Sequence, residues 1–252
     1  MVYLGNFGKN GSNQMAVTRL AVPNRLAGVS KALHSQNQYT YYTYMEPESK
    51  EYDKKRFIHS LIFPAFFVFV VIMVKIIESG FDLDFTRLGI YPLEARGLKG
   101  ILFSPMVHAD YKHLVDNCIP LFILGVAVFY FYHTLGYRIF FLNYLMVGLW
   151  VWAGGREAYH IGASGLVYGL ASFLFFSGVI RNNMRLLAIS LLVVFLYGSM
   201  IWGIFPLFPQ VSWESHMLGS LSGLVLAIYY RKQGPQKKVY EWELEEEEEK
   251  DS

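Results

Sequence analysis

The sequence predicts an all-α, polytopic membrane protein built as a bundle of six transmembrane helices. Three observations carry that expectation. Hydrophobic residues make up 54% of the 252-residue chain and charged residues only 17%, against about 25% in ordinary globular domains. The apolar residues fall into six separate runs of near-membrane length. Charged residues gather in the intervals between those runs.

Residues 1–44 contain no Asp or Glu and are rich in Ser, Asn, Gly and Tyr. With no long apolar run, the stretch 1–54 is expected to be a disordered cytoplasmic tail. An acid-poor, basic leader is also compatible with an organellar transit peptide, although Met45 opens an ordinary membrane-protein N-terminus.

The six apolar segments run approximately over 57–77, 113–132, 138–153, 160–180, 186–206 and 213–230. A helical span needs about 20 mostly apolar residues. The third is short but extends through Val151, Trp152 and Ala153, and the fourth and sixth are rich in Gly and Ser, which is tolerated where helices pack closely. An open sheet cannot satisfy its edges in lipid, and the runs are too long for barrel strands. The 35-residue interval 78–112 mixes aromatic and aliphatic residues with charges, Pro92 and Pro105. That mixture suits a structure lying in the membrane interface. Residues 55–232 thus form the membrane domain, followed by an acidic tail over 233–252, solvated where Glu241 and its successors accumulate.

Basic residues set the orientation. Lys50, Lys54, Lys55 and Arg56 precede the first span, Arg138 lies between spans two and three, and Arg181 and Arg185 between four and five. Arg231, Lys232, Lys237 and Lys238 follow the sixth. The opposite loops hold chiefly Arg87, Arg96, Lys99 and Arg156. Both termini are therefore expected in the cytoplasm, most simply of a bacterium with the chain in its inner membrane.

Polar side chains inside spans are costly and call for a reason. Spans two, four and six share one direction, so their early residues share one depth. That layer holds His113, Asn117, Ser164 and His216, each expected about one turn into its helix. A serine hydroxyl needs a base to become a nucleophile, and His216 can supply it. His113 and Asn117, four residues apart on one helix face, offer N–H donors for a developing oxyanion, with the Ser164 backbone N–H as a further candidate. Tyr168, one turn beyond Ser164, could stack on His216 and hold its orientation. Ser215, Gly219 and Gly223 form one small-residue ridge, and Gly165 and Gly169 another, allowing close helix approach. No Asp or Glu is placed to complete a triad: Glu214 at i−2 from His216 points elsewhere, and Asp116 could at most orient His113. His160, four residues before Ser164, is a weaker candidate base on the same helix.

These residues carry a family resemblance. His108, followed by His113-Leu114-Val115-Asp116-Asn117, resembles the second-helix signature of rhomboid proteases. Gly162-Ala163-Ser164-Gly165 with Tyr168 is similar to their serine motif, and His216-Met217-Leu218-Gly219 with Gly223 to their sixth-helix motif. The resemblance covers about residues 55–232. It implies Ser164 as nucleophile, His216 as base, His113 and Asn117 at the oxyanion, and Tyr168 as support. It also implies no metal or cofactor, and cleavage of transmembrane or membrane-anchored protein substrates near their transmembrane segments. Ser215 replaces an alanine common before the histidine, and the Trp-Arg pair of some first loops is not evident. Lipid is the other expected partner; nucleic acid is not one. The lone Cys118 excludes an intrachain disulfide, and no His-Glu-x-x-His zinc motif occurs. A non-catalytic relative that binds membrane helices, and a transporter, are the alternative classes.

Overall fold

The computed structural model describes residues 24–196, 202–207 and 211–235, with side chains from residue 50 onward. The basic leader up to residue 23 and the glutamate run lie outside the described residues. The chain divides into two units, Met1–Tyr52 and Asp53–Ser252, and the packing and the site described below belong to the second.

The described residues are all-helical apart from one isolated backbone bridge. The long helices are α1 (Asn24–Gly80), α3 (Tyr111–Phe131), α4 (Gly136–Gly154), α5 (Ser164–Ile180), α6 (Met184–Leu196) and α7 (Trp213–Tyr229), with a single turn, α2 (Gly100–Phe103), before α3. The stretch Lys50–Gly80 and α3 are each long and apolar enough to cross a membrane. The fourth segment differs from expectation: its helix starts at Ser164, not at residue 160. Gly162, with φ +102°, is the reason, since that left-handed backbone cannot continue a helix.

An apolar core runs through α3, α5 and α7, centred on Leu121, Leu124, Leu170, Phe173, Leu174 and Leu226. Around α1 the seam is aromatic. Phe63 meets Phe129 and Phe140 at ring-centroid distances of 5.1 and 5.0 Å, and Phe67 meets Phe140 at 5.1 Å. The opposite face of α1 leaves Phe57, Ile58, Ile62, Phe66 and Phe69 exposed. A continuous exposed apolar face of this kind calls for a non-aqueous neighbour, as a membrane protein has.

α5 and α7 approach closely because glycines meet backbone. A Cβ on Gly219 would collide with the Gly165 carbonyl, and one on Gly223 would come within 2.7 Å of Phe173 N. A Cβ on Gly165 would lie 2.7 Å from Val147 Cγ1 of α4 and 3.1 Å from the Ser215 carbonyl, and one on Gly169 would strike the Asn143 amide. Only hydrogen side chains permit this spacing.

The interval between α1 and α3 is pinned, not loose. Ile90 and His160 exchange both backbone hydrogen bonds, at 2.9 and 2.8 Å. Leu93 N–H donates to the Trp152 carbonyl at 2.9 Å, and Trp152 Nε1 donates to the Glu94 carbonyl at 3.0 Å. Its Phe81, Leu83, Leu93, Leu98, Leu102 and Phe103 side chains remain exposed.

Candidate active site

The helix starts predicted to share a depth converge on one cavity of about 840 Å3, lined by His113, Asn117, Ser164, Tyr168 and His216 together with His160 and Ser212. Each of these side chains reaches it for a local reason.

Ser164 is the first residue of α5, one turn earlier than expected. The free N–H groups and positive dipole end of that helix surround it. Its Oγ lies 2.8 Å from Nε2 of His216, which α7 carries. The other ring nitrogen, Nδ1, lies 2.9 Å from the Gly203 carbonyl oxygen. A carbonyl can only accept, so Nδ1 carries the proton and Nε2 presents a lone pair to the serine hydroxyl. The Tyr168 ring stacks flat on His216, with centroids 4.2 Å apart and planes 8° from parallel.

On α3, Asp110 caps the helix: its Oδ1 accepts from His113 N–H at 2.8 Å. That bond holds the exposed Asp110 carboxyl below the usual carboxylate range. Asn117 Nδ2 donates to the His113 carbonyl at 2.9 Å, leaving its second amide hydrogen for another acceptor. Both side chains gather beside Gly162. A Cβ there would lie 2.7 Å from His113 Cε1 and 3.6 Å from Asn117 Nδ2. Gly162 therefore serves twice, through its positive φ and through the room it leaves for the imidazole.

His160 does not pair with Ser164. It lies in the loop before α5, where Nε2 donates to the Arg156 carbonyl at 3.0 Å and Nδ1 accepts from Ser212 Oγ at 2.5 Å. Ser212 Oγ is also 2.6 Å from Ser215 Oγ. Glu214 is buried and faces Arg156, with 3.4 Å between Oε1 and Nε, and makes no hydrogen bond to His216, whose two ring nitrogens are taken by Ser164 and Gly203. Asp116 pairs with Lys112 at 2.6 Å and not with His113. Cys118 is buried without ligand partners, and no metal-binding cluster occurs among the described residues.

Three contributors were not read from the sequence. The Gly203 carbonyl has no sequence signal, because every residue carries one. Asn143, buried in α4, donates to the Leu166 carbonyl at 3.2 Å and meets Ser222 Oγ through its Oδ1, tying α4 to α5 and α7. Lys75 and Glu78 form a buried pair on α1. Both of these were visible as polar residues in or bordering apolar runs, the same signal that singled out His216.

Against known proteins, a family model described as Rhomboid domain matches residues 95–233. An uncharacterized protein of Mycobacterium tuberculosis is 35% identical over 189 residues, covering 69% of this chain and 75% of that protein. An uncharacterized protein of Mycobacterium leprae is 29% identical over 212 residues, covering 77% and 80%. With that match spanning more than half its length, on a helical membrane bundle, this chain belongs to the rhomboid family.

Proposed function

We propose that the chain is a serine endopeptidase that cleaves transmembrane or membrane-anchored proteins, with Ser164 as nucleophile and His216 as general base. One observation carries this reading: the 2.8 Å contact between Ser164 Oγ and His216 Nε2, with the imidazole held in the required tautomer by the Gly203 carbonyl.

In the first half-reaction, Ser164 Oγ attacks a peptide carbonyl carbon as its proton passes to His216 Nε2. The Gly203 carbonyl, facing Nδ1–H, stabilises the imidazolium that forms, the work a carboxylate performs in soluble triads. Charge developing on the carbonyl oxygen meets the free Asn117 N–H, the His113 ring and the Ser164 backbone N–H at the positive end of α5. Collapse of the tetrahedral species breaks the C–N bond. His216 gives its proton to the departing amine, leaving an acyl ester on Ser164. Water entering the cavity then repeats the sequence: His216 takes its proton, the hydroxide equivalent attacks the ester, and Ser164 recovers its hydrogen. Tyr168 keeps the His216 ring in plane throughout. The chain works as a multi-pass protein of a bacterial inner membrane with both termini cytoplasmic, and the cavity opens below the outer surface.

The test uses purified full-length protein in bilayers with a single-span substrate and a fluorophosphonate probe. Wild type is expected to cleave the substrate and take up label, and Ser164→Ala and His216→Ala to do neither while remaining folded. Cleavage retained by either variant removes the assignment. A folded wild type that neither cleaves nor labels favours a non-catalytic member that binds membrane helices.

A further inference from the structure

Two charges on α1 are buried at the level where that helix leaves the bundle. Lys75 and Glu78 are each only 8% exposed, in a stretch otherwise made of Val, Ile, Met and Phe. Burying charge in or beside lipid is costly unless every polar atom finds a partner. Lys75 uses its three N–H donors fully. Nζ reaches Glu78 Oε2 at 2.7 Å, the His108 carbonyl at 2.9 Å and the Ala109 carbonyl at 3.0 Å. Glu78 Oε1 accepts from Phe85 N–H at 3.1 Å.

The two carbonyls held by Lys75 sit at a junction. The next residue, Asp110, caps α3 and bonds the His113 backbone. The His108 ring turns the other way, where Nε2 faces Ala163 N–H at 3.5 Å, one residue before Ser164. His108 and His113 rings also meet edge-to-face at 5.0 Å. One ammonium group on α1 thus lies one step from the start of α3 and two from the start of α5.

We propose that Lys75, held by Glu78, is a positioning residue: by gripping the His108 and Ala109 carbonyls it sets His113 and Ser164 in register. The proposal rests on the protease reading above. Its physical basis is that a reacting geometry displaced by about 1 Å costs on the order of a hundredfold in rate. No described residue of α1 lines the cavity, so a loss of register is expected to fall on kcat more than on KM.

The experiment measures kcat and KM on the full-length protein in bilayers. Each rate is divided by the number of sites titrated to completion with the fluorophosphonate, so loss of folded protein cancels. Lys75→Met is expected to lower kcat per titrated site by about 10-fold to 100-fold with KM within about twofold. Lys75→Arg, which keeps a cation and several donors, restores most of it. Glu78→Gln keeps the Phe85 contact but slackens the hold on Lys75, and lowers kcat about threefold to tenfold. If Lys75→Met does not fold, Glu78→Gln decides alone. Unchanged kcat per titrated site, or a loss confined to the number of titratable sites, overturns the proposal and assigns the pair to stability only. A wild type with neither turnover nor label shows a different failure, that of the protease reading, and the positioning role falls with it.

Discussion

The ring of Tyr168 lies parallel to that of His216 at 4.2 Å, so the base of the proposed dyad is clamped on one face by stacking and at Nδ1 by the Gly203 carbonyl. A stacked aromatic pair contributes about 0.5–1.5 kcal/mol beyond its buried area. That is enough to bias a ring orientation, and too little to hold a bundle together.

Tyr168→Ala is accordingly expected to lower kcat roughly tenfold and, because the ring is buried in the core, to lower the unfolding midpoint as well, by the roughly 3–5 kcal/mol of a large aromatic truncation. Tyr168→Phe keeps the ring face and should stay close to wild type. Cleavage rates of both variants at saturating substrate decide it: an unaffected Tyr168→Ala removes the stack from the mechanism.

Gly219→Ala places a methyl group against the Gly165 carbonyl, a backbone atom that cannot rotate away. Overpacking of this kind costs about 1–3 kcal/mol. Because Gly165 adjoins Ser164, and Ser215 and His216 lie a turn before Gly219, spreading the two helices also lengthens the 2.8 Å contact. Fluorophosphonate labelling should slow together with a lower unfolding midpoint. Full labelling speed would mean the helices tolerate a methyl at this crossing.

Asn143→Leu removes the side-chain donor to the Leu166 carbonyl and the side-chain partner of the buried Ser222 Oγ, and sets a branched side chain against Gly169. An abandoned buried polar group costs about 1–3 kcal/mol. Unfolding of the purified variant in a denaturing detergent series should occur earlier than wild type. Equal resistance would show that α4, α5 and α7 are held by apolar packing alone.

The pH prediction concerns His108, in the loop before α3. Burial, with His113 nearby, pushes its imidazole down to about 4 from an ordinary 6.5. The unfolded chain therefore binds more protons between those values, and stability falls as pH drops from about 6.5 to about 4, a loss on the order of 3 kcal/mol. Above 6.5 the contribution is complete. Protonation would also set an N–H donor against the Ala163 N–H that Nε2 now accepts. His108→Gln removes the titrating group but keeps an acceptor, so its stability should depend less on acid than that of wild type. Unfolding compared at pH 7 and pH 4.5 checks this, and parallel profiles would exclude His108 as a source of acid sensitivity.

The helices were legible in the sequence because apolar helices of a membrane protein write their length into apolar runs, and α3, α4 and α7 begin and end within two residues of expectation. The expected start of the fourth span failed at Gly162. Hydrophobicity carries across residues 160–163, whereas the backbone turns at a positive φ. Ser164 and His216 stood out for a related reason: polar groups at one depth of an apolar bundle are costly enough to be conspicuous.

By itself, then, the sequence determined which segments form apolar helices, which polar residues share a layer, and where glycine lets helices touch. Tertiary structure alone decided that the Gly203 carbonyl orients His216, that His160 bonds Ser212 and not Ser164, and that Lys75 reaches across to the start of α3. The physical reason is the range of each signal. Apolar periodicity and side-chain cost are properties of a local stretch of chain. A backbone carbonyl is the same at every residue, and acquires a role only when the path of the whole chain brings it within 3 Å of a particular nitrogen.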